Sequence, residues 1–311
     1  MLESLLIVAQ QVGILFALMA VGFICNKRQL VTETGVKGFV EVLVLIVTPC
    51  VIVQAFQRPF EAHLLKGLGW ALALAVFSHV LGIVSSTLLF RGKDRRQVSV
   101  LRFATTFSNA GFMGIPLEYA LLGNDGVFFG AVYVAVFNVV CWSWGLVTMC
   151  GSLGEIRTRT LFVNPGTLGI ALGLPFFLFS WHLPAVVASP VKMLADLNTP
   201  VAMLVIGYYL ANASFGAVLR TRAAWVSAAL RLLLLPAAVL GVVWLCRPGD
   251  ATMCVAIVTA ASAPVAAMTS MFAAKYARDV ELSVGLVSGT TLLSILTMPP
   301  IVGFAMWLFL K

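Results

Sequence analysis

The chain has 311 residues, of which 61% are hydrophobic and 10% charged, and its mean hydropathy is +1.03. Soluble domains carry about a quarter charged residues, so this composition excludes a soluble enzyme or binding module. The formal charge of +8 would suit a nucleic-acid partner, but the basic residues lie in short segments between apolar runs. Such a distribution indicates membrane topology, and no nucleic-acid partner is predicted.

Apolar runs recur along the whole chain, and ten of them are long enough for a membrane-spanning helix. Such a helix needs about 20 apolar residues to cross the hydrocarbon core. The sequence therefore predicts an all-α integral membrane protein of ten transmembrane helices in a lipid bilayer. The predicted spans are residues 5–24, 38–55, 67–90, 100–121, 127–150, 165–181, 191–211, 224–246, 251–274 and 282–310.

The loops differ in basic content, and this difference predicts the orientation. Fourteen Lys and Arg residues follow spans 1, 3, 5, 7 and 9, whereas five lie in the alternate loops and at the C-terminus. Cytoplasmic loops carry the excess of basic residues. We therefore expect the odd-numbered loops in the cytoplasm and both termini on the non-cytoplasmic side of the plasma (inner) membrane.

One long polar connector, residues 151–164, divides the chain into a first repeat, 1–150, and a second repeat, 165–311. Each repeat holds five predicted spans. Because five is odd, related halves must insert in opposite orientations. Inverted repeats with broken helices are typical of secondary transporters, whose site lies at the repeat interface near mid-membrane. The connector is predicted to be a central cytoplasmic loop.

Short motifs recur in both halves and support the repeat. The Thr-Pro pair at 48–49 in span 2 recurs at 199–200 in span 7, 151 residues later. A G-x-x-x-G motif at 126–130 recurs at 285–289, 159 residues later. The order and similar spacing of these matches predict two inverted five-helix repeats.

Span 4 contains a segment, Ser108–Leu117, that a regular helix does not tolerate. It holds two glycines, a proline and a Ser-Asn pair within ten residues. Proline removes a backbone donor and glycine weakens a helix interior, and freed backbone groups are unfavourable in hydrocarbon unless protein or water satisfies them. Residues 261–267 of span 9 form a second small, Pro-interrupted segment. Two broken helices in corresponding positions predict a transport site.

The half-helix that starts after each break offers free N–H groups and a positive dipole end, which favour a carboxylate. Asn109 adds a side-chain amide that can donate and accept hydrogen bonds. The alternative interpretation is that Gly111 and Gly114 serve close helix packing and that Pro116 makes a plain kink.

Polar residues beside prolines in spans 2 and 7 are a less specific sign of a functional site than the two breaks. Pro49 and Pro200 are interpreted first as helix kinks, whose freed carbonyls the neighbouring Thr hydroxyls can satisfy. Asp196 and Asn198 lie beside the second proline. That copy is therefore the stronger candidate for coupling or gating.

Ionisable residues within spans are functional candidates by default. Arg231 in span 8 could neutralise an anionic substrate or pair with a carboxylate, and the sequence leaves both open. Lys275 at the end of span 9 is interpreted as an interface anchor, with gating as the alternative because it follows the break closely. His79 in span 3 could exchange a proton, although a lone histidine on an apolar helix is more often simply hydrogen-bonded.

Signatures of enzymes and metal centres are absent from the sequence. It contains no G-x-x-x-x-G-K-[ST] phosphate loop, no H-E-x-x-H and no G-x-S-x-G motif. The three histidines are scattered, and the six cysteines form no C-x-x-C pair and are interpreted as small buried hydrophobic residues. We predict no catalytic residue, no metal and no cofactor.

The segment Asn109–Leu117, Asn-Ala-Gly-Phe-Met-Gly-Ile-Pro-Leu, resembles the auxin efflux carrier family, which has an Asn followed by Met-Gly-Ile-Pro-Leu at this place. Ala-Lys-Tyr at 274–276 is similar to the family's ending of helix 9, and Thr-Met-Pro at 297–299 resembles its Leu-Pro in helix 10. The ten-span layout fits as well. The short central loop is similar to that of the bacterial members rather than the long-loop plant carriers.

The resemblance implies that spans 1, 2, 6 and 7 form a scaffold that often dimerises, that spans 3–5 and 8–10 form a transport domain, and that spans 4 and 9 cross in an X at their breaks. It implies small organic anions, such as auxin, malonate or malate, as substrates. Ser108 stands where the family often has proline, and span 9 is less polar than in the plant carriers. The substrate-binding residues that it implies are Asn109, Ala110, Gly111, Gly114, Pro116, Ser262 and Pro264.

The sequence thus favours a secondary carrier of a small carboxylate, a homodimer that works by alternating access around the crossing breaks. The alternative within transport is a sodium- or proton-coupled antiporter or symporter of a related inverted-repeat fold. That class usually has buried carboxylates beside the crossing helices, and neither broken segment contains Asp or Glu. From a different class, a membrane-embedded sensor would need an output domain and an enzyme would need an acid–base cluster or a nucleophile, and neither is visible.

Overall fold

The computed structural model describes residues 1–152, 165–213 and 216–310, without the side chains of Pro165 and Ala217. Within these residues the chain is helical, apart from turns, connecting segments and one isolated backbone bridge. The all-α class predicted from the sequence is confirmed. The predicted central loop falls mainly on residues 153–164, which lie outside the described residues.

Five described helices precede residue 153 and seven follow residue 164. The first five are α1 (Leu2–Lys27), α2 (Glu33–Phe56), α3 (Ala62–Leu89), α4 (Arg95–Thr106) and α5 (Ala110–Cys150). The others are α6 (Pro165–Leu178), α7 (Ala185–Leu210), α8 (Gly216–Arg220), α9 (Arg222–Cys246), α10 (Ala251–Ser262), α11 (Met268–Lys275) and α12 (Val280–Phe309).

Seven of the described helices, α1, α2, α3, α5, α7, α9 and α12, are long and apolar enough to cross a membrane. Helices α6 and α10 are apolar but shorter, and α10 ends at the second break. The protein is therefore an all-α membrane protein with several crossings. Ten spans in two inverted repeats stay a prediction.

Predicted spans 4 and 5 meet in the single 41-residue helix α5, which contains a sharp bend. At Gly123 the backbone has φ 64° and ψ −149°, a conformation that glycine adopts without a Cβ penalty. The bend places Gly130 against the side chain of Glu118, although 12 residues of straight helix would separate them by about 18 Å. Residues 115–122 and 124–140 therefore fold back on each other, and we call them the α5 hairpin.

Three prolines within the long helices are preceded by a widened, π-helical turn. Such turns cover Leu43–Val47 before Pro49, Ala110–Gly114 before Pro116, and Leu230–Leu234 before Pro236. A proline ring clashes with the carbonyl four residues earlier, and a wider turn removes that clash while the helix continues. The prolines therefore shape these helices without ending them.

Glycines allow two pairs of helices to pack closely, one pair through backbone contacts and the other through a phenylalanine side chain against a glycine. A Cβ at Gly22 of α1 would overlap the backbone of Leu204 in α7, and one at Gly207 of α7 would overlap the backbone of Met19. In the same way, a Cβ at Gly173 of α6 would lie 3.0 Å from the Cβ of Phe56 in α2. Helix α1 thus packs tightly on α7, and α2 packs on α6.

Candidate functional site

The two breaks predicted from the sequence meet in the middle of the molecule. Ser108, between α4 and α5, forms an antiparallel backbone bridge with Val265, between α10 and α11. The N–H of Asn109 donates to the carbonyl of Pro264 at 2.7 Å, and the N–H of Ala266 donates to the carbonyl of Phe107 at 3.0 Å. We call this pairing of 107–109 with 264–266 the crossover.

Helix α12 closes the second break from one side. The hydroxyl of Thr290 accepts a hydrogen bond from the N–H of Val265 at 3.1 Å. The hydroxyl of Ser262 donates to the carbonyl of Val258 at 2.6 Å, and this side chain is fully buried. The structure thus places Ser262 and Pro264 at the crossover, where Pro264 faces Asn109 and the Ser262 hydroxyl is directed back along its own helix.

The first break presents the more open helix terminus. The carbonyl of Asn109 accepts from the N–H groups of Met113 and Gly114 at 3.0 and 3.1 Å, while its side chain caps nothing. The first N–H groups of any helix lack partners within it, and here they belong to residues 110–112. A Cβ at Gly111 would meet no atom within 4 Å outside its own stretch of helix, so there is room beside this first turn of α5.

Arg231 of α9 connects the ends of two helices. The side chain is fully buried, and one guanidinium nitrogen donates to the carbonyls of Thr105 and Thr106 at 3.3 and 3.2 Å. The other terminal nitrogen donates to the carbonyl of Ala261. These carbonyls belong to the C-terminal turns of α4 and α10, where helix dipoles place partial negative charge. One cation therefore compensates the negative ends of both interrupted helices.

Further buried polar groups surround the crossover, and the sequence pointed to few of them. The hydroxyls of Ser78 and Tyr133 lie 2.9 Å apart. The Nδ1 of His79 lies 2.8 Å from the carbonyl of Ala75, and its ring lies 5.0 Å from that of Tyr133. The Nε2 of His79, the Oγ of Ser108 and the Nε of Arg231 have no hydrogen-bond partner among the described residues. A buried polar cluster thus adjoins the crossover.

A cavity of about 410 Å³ lies between α1, α2, α5 and α7. It brings together three residues singled out from the sequence, Pro116, Asp196 and Asn198. Its polar lining also includes Thr199 of the second Thr-Pro pair and four groups that no sequence pattern indicated, Gln11, Gln54, Tyr119 and Asn124.

The remaining candidates lie apart from the crossover contacts. Asp196 is partly exposed and forms an ion pair with Lys192, one turn earlier, at 2.7 Å. Pro49 and Pro200 are half-buried within α2 and α7. Lys275 is exposed at the end of α11, with its ammonium 5.3 Å from the centre of the Tyr276 ring. The structure does not bring these four residues together.

One buried carboxyl group was passed over in the sequence because it follows the first break. Glu118 lies in the α5 hairpin with no exposed surface, and neither of its carboxyl oxygens has a hydrogen-bond partner among the described residues. A glutamate within an apolar run would have indicated a functional residue, since ionisable groups inside membrane helices are functional candidates.

Two interrupted helices paired at their breaks, in a bundle of apolar helices, are features of membrane transporters. The chain belongs to the membrane transport protein family (Mem_trans), whose model matches residues 7–159 and 149–302. This match confirms the resemblance to auxin efflux carrier-type transporters.

A relative from Methanothermobacter thermautotrophicus, described as an uncharacterized transporter, is 25% identical over 291 residues. The alignment covers 91% of this chain and 93% of the relative. Together with the family match, this likeness identifies the protein as a multi-pass membrane transporter rather than an enzyme.

Proposed function

We propose that the protein is a secondary transporter of a small organic anion, a carboxylate such as malonate, malate or an auxin-like acid, and that it works by alternating access at the crossover. The observation that carries this proposal is the pairing of helix termini there. Five backbone carbonyls at the two breaks are engaged within the protein, whereas a Cβ at Gly111, in the first turn of α5, would face open space.

The engaged carbonyls favour an anion over a cation. Transporters that bind sodium at broken helices coordinate it with unwound carbonyls and half-helix C-termini. Here the carbonyls of Thr105, Thr106 and Ala261 accept from Arg231, and those of Phe107 and Pro264 accept from the opposite break. The engagement of these five carbonyls favours the positive helix ends as the ligand-binding side of the crossover, which suits a carboxylate.

The donors at the first break are arranged for one small carboxylate. Its oxygens would accept from the N–H groups of residues 110–112 and from the side-chain amide of Asn109. Gly111 leaves room for this approach, because no atom lies within 4 Å of the place of a Cβ. Pro116 lines the neighbouring cavity, which would connect the binding place with the surface.

Helix packing supports a scaffold and a moving transport domain. The tight contacts of α1 with α7 and of α2 with α6 involve Gly22 and Gly173, which lie 151 residues apart. That offset equals the spacing of the two Thr-Pro pairs, as related halves require. The cavity lies between α5 on one side and α1, α2 and α7 on the other, where a sliding transport domain would open and close access. In this proposal two copies associate through the scaffold in the inner membrane.

A test of the proposal uses purified protein in proteoliposomes with radiolabelled malonate, malate and indole-3-acetate, assayed by counterflow. We expect one of these anions to exchange, and Asn109→Ala to weaken its binding. A hydrogen bond to a charged group contributes about 1.5–3 kcal/mol, which corresponds to a loss of affinity of about 10- to 100-fold.

The matched control is Asn212→Ala, which removes an exposed amide outside the helices. It is expected to leave exchange unchanged. Equal exchange by Asn109→Ala and wild type, in correctly inserted protein, would contradict the proposed carboxylate site.

A further inference from the structure

The α5 hairpin encloses a carboxyl group that the proposed anion site does not use. The Glu118 side chain has no exposed surface, and both of its oxygens lack a hydrogen-bond partner among the described residues. It follows Pro116 by two residues, so it lies in the half-helix that begins at the crossover. Tyr119, the next residue, lines the cavity.

Glycines form the walls around this carboxyl group. A Cβ at Gly130 would overlap the carboxyl group itself, and a Cβ at Gly126 would lie 2.8 Å from the Glu118 carbonyl oxygen. A Cβ at Gly114 would lie 3.7 Å from the carboxyl Oε1. The G-x-x-x-G motif at 126–130 therefore makes the space in which the Glu118 side chain lies.

No charged neighbour compensates the carboxyl group. No described side chain donates a hydrogen bond to it or forms an ion pair with it. The titratable or charged side chains on the hairpin and on the helices packed against it are Glu3, Cys25, Lys27, Glu33, Lys37, Glu41, Cys50, His63, Lys66, His79, Tyr119, Asp125, Tyr133, Cys141, Lys192, Asp196, Tyr208, Tyr209 and Cys254. Arg58, between α2 and α3, pairs with Asp125 of the hairpin.

An isolated carboxylate in apolar surroundings is strongly unfavourable, and such groups take up a proton instead. In the conformation described here, Glu118 is therefore a carboxylic acid. Intramembrane acids of this kind serve as proton relays in pumps and transporters.

We propose that Glu118 is a proton-binding site of the transporter, loaded in this conformation and unloaded when the α5 hairpin opens. The step is a reversible protonation: one carboxylate oxygen takes a proton from water on one side of the membrane and returns it to water on the other. Gly123, whose backbone lies in the left-handed region and whose Cβ position is open, is the joint about which the two arms would separate.

The role of this proton in transport rests on the proposed function, because the proton would accompany the organic anion. A proton that moves with a monoanion leaves the membrane potential unchanged and lets a pH gradient drive accumulation. The protonation of Glu118 itself does not depend on which anion is carried, and it is tested separately.

The first experiment is infrared spectroscopy of the reconstituted protein at neutral pH. We expect the carbonyl stretch of a protonated carboxylic acid in wild type and in Glu3→Gln, which removes an exposed carboxylate, and its loss in Glu118→Gln. In D₂O the wild-type band is expected to shift as the proton exchanges. A spectrum without the band, or a band that persists in Glu118→Gln, overturns the proposal, as does a wild-type band that never exchanges.

The second experiment measures radiolabelled malonate, malate and indole-3-acetate in proteoliposomes with and without an inward proton gradient. We expect the gradient to increase wild-type uptake at least tenfold. Glu118→Gln, which keeps the shape and neutrality of the acid, is expected to retain counterflow and to lose this increase. An equal response of both proteins to the gradient would refute Glu118 as the coupling site. If none of the three anions exchanges in either protein, the proposed substrate class fails, and the infrared result alone decides on the proton site.

Discussion

At the scale of single residues, Arg231 shows how one side chain can hold two interrupted helices together. Its guanidinium donates to carbonyls of α4 and α10, which come from different halves of the chain. The sequence left open whether this cation pairs with a carboxylate or meets a substrate. The structure shows a third arrangement, in which the guanidinium donates to backbone carbonyls and lies beside the Tyr133 hydroxyl. The sequence cannot predict this arrangement, because every helix has carbonyls.

Replacing Arg231 with lysine is expected to destabilise the protein. Lysine keeps the charge, but its single ammonium cannot reach both helix ends as a planar guanidinium does. The loss of one hydrogen bond from a charged group costs about 1.5–3 kcal/mol. Thermal unfolding in detergent would show a lower midpoint for Arg231→Lys and no change for Arg222→Lys, which alters an exposed arginine of the same helix. Equal unfolding midpoints for wild type and Arg231→Lys would show that the Arg231 hydrogen bonds to the two helix ends contribute nothing to stability.

Substitution of Gly111 separates binding from folding. A methyl group there meets no protein atom within 4 Å, and alanine is favourable in a helix, so Gly111→Ala is expected to fold as stably as wild type. The methyl group would, however, occupy the space proposed for the carboxylate. Counterflow of the transported anion is therefore expected to fall about tenfold or more, the effect of losing about 1.4 kcal/mol. Full activity of this variant would place the anion elsewhere.

At the scale of helices, the contacts made by glycine set the distances between elements. Gly22 and Gly207 let α1 and α7 touch along their backbones. Overpacking in a close contact costs about 1–3 kcal/mol, so Gly22→Ala is expected to lower the unfolding midpoint. Gly13 lies on the same helix, and a Cβ there meets nothing within 4 Å. Gly13→Ala therefore serves as the control and should be neutral or stabilising by about 0.5–1 kcal/mol. The reverse order of the two variants would contradict this packing.

The breaks were predictable because glycine and proline act through local backbone chemistry. The sequence placed them at 108–117 and 261–267, and the structure has its non-helical segments at 107–109 and 263–267. The bend of α5 was less accessible, since Gly123 is one glycine among 26 and its positive φ depends on the packing of both arms. The burial of Glu118 follows from that bend and was missed with it.

At the scale of the whole molecule, hydropathy predicted a helical membrane protein and motif spacing predicted a repeat. Hydropathy did not predict the short length of α10, because that helix ends at the second break rather than at polar residues. The amide-lined cavity between α1, α2, α5 and α7 was also beyond the sequence. Such a cavity exists through the juxtaposition of helices distant in sequence, and no local pattern encodes it.

The predicted orientation is testable on intact cells. Both termini are expected outside the cytoplasm, because the basic residues concentrate in the loops after the odd-numbered spans. An epitope tag at the N-terminus should be cleaved by external protease in spheroplasts, whereas a tag inserted at 91–94, between α3 and α4, should be protected. Protection of the first tag with cleavage of the second would invert the topology.

The crossover is held by peptide groups, since Asn109 donates to Pro264 and Ala266 to Phe107 through the main chain. A crossing held by main-chain hydrogen bonds tolerates substitution of its side chains, provided that no bulky side chain is introduced. Natural selection can therefore alter the side chains at the junction without rebuilding the crossing itself. Under the proposed function, different substrates could then be carried on a constant backbone frame.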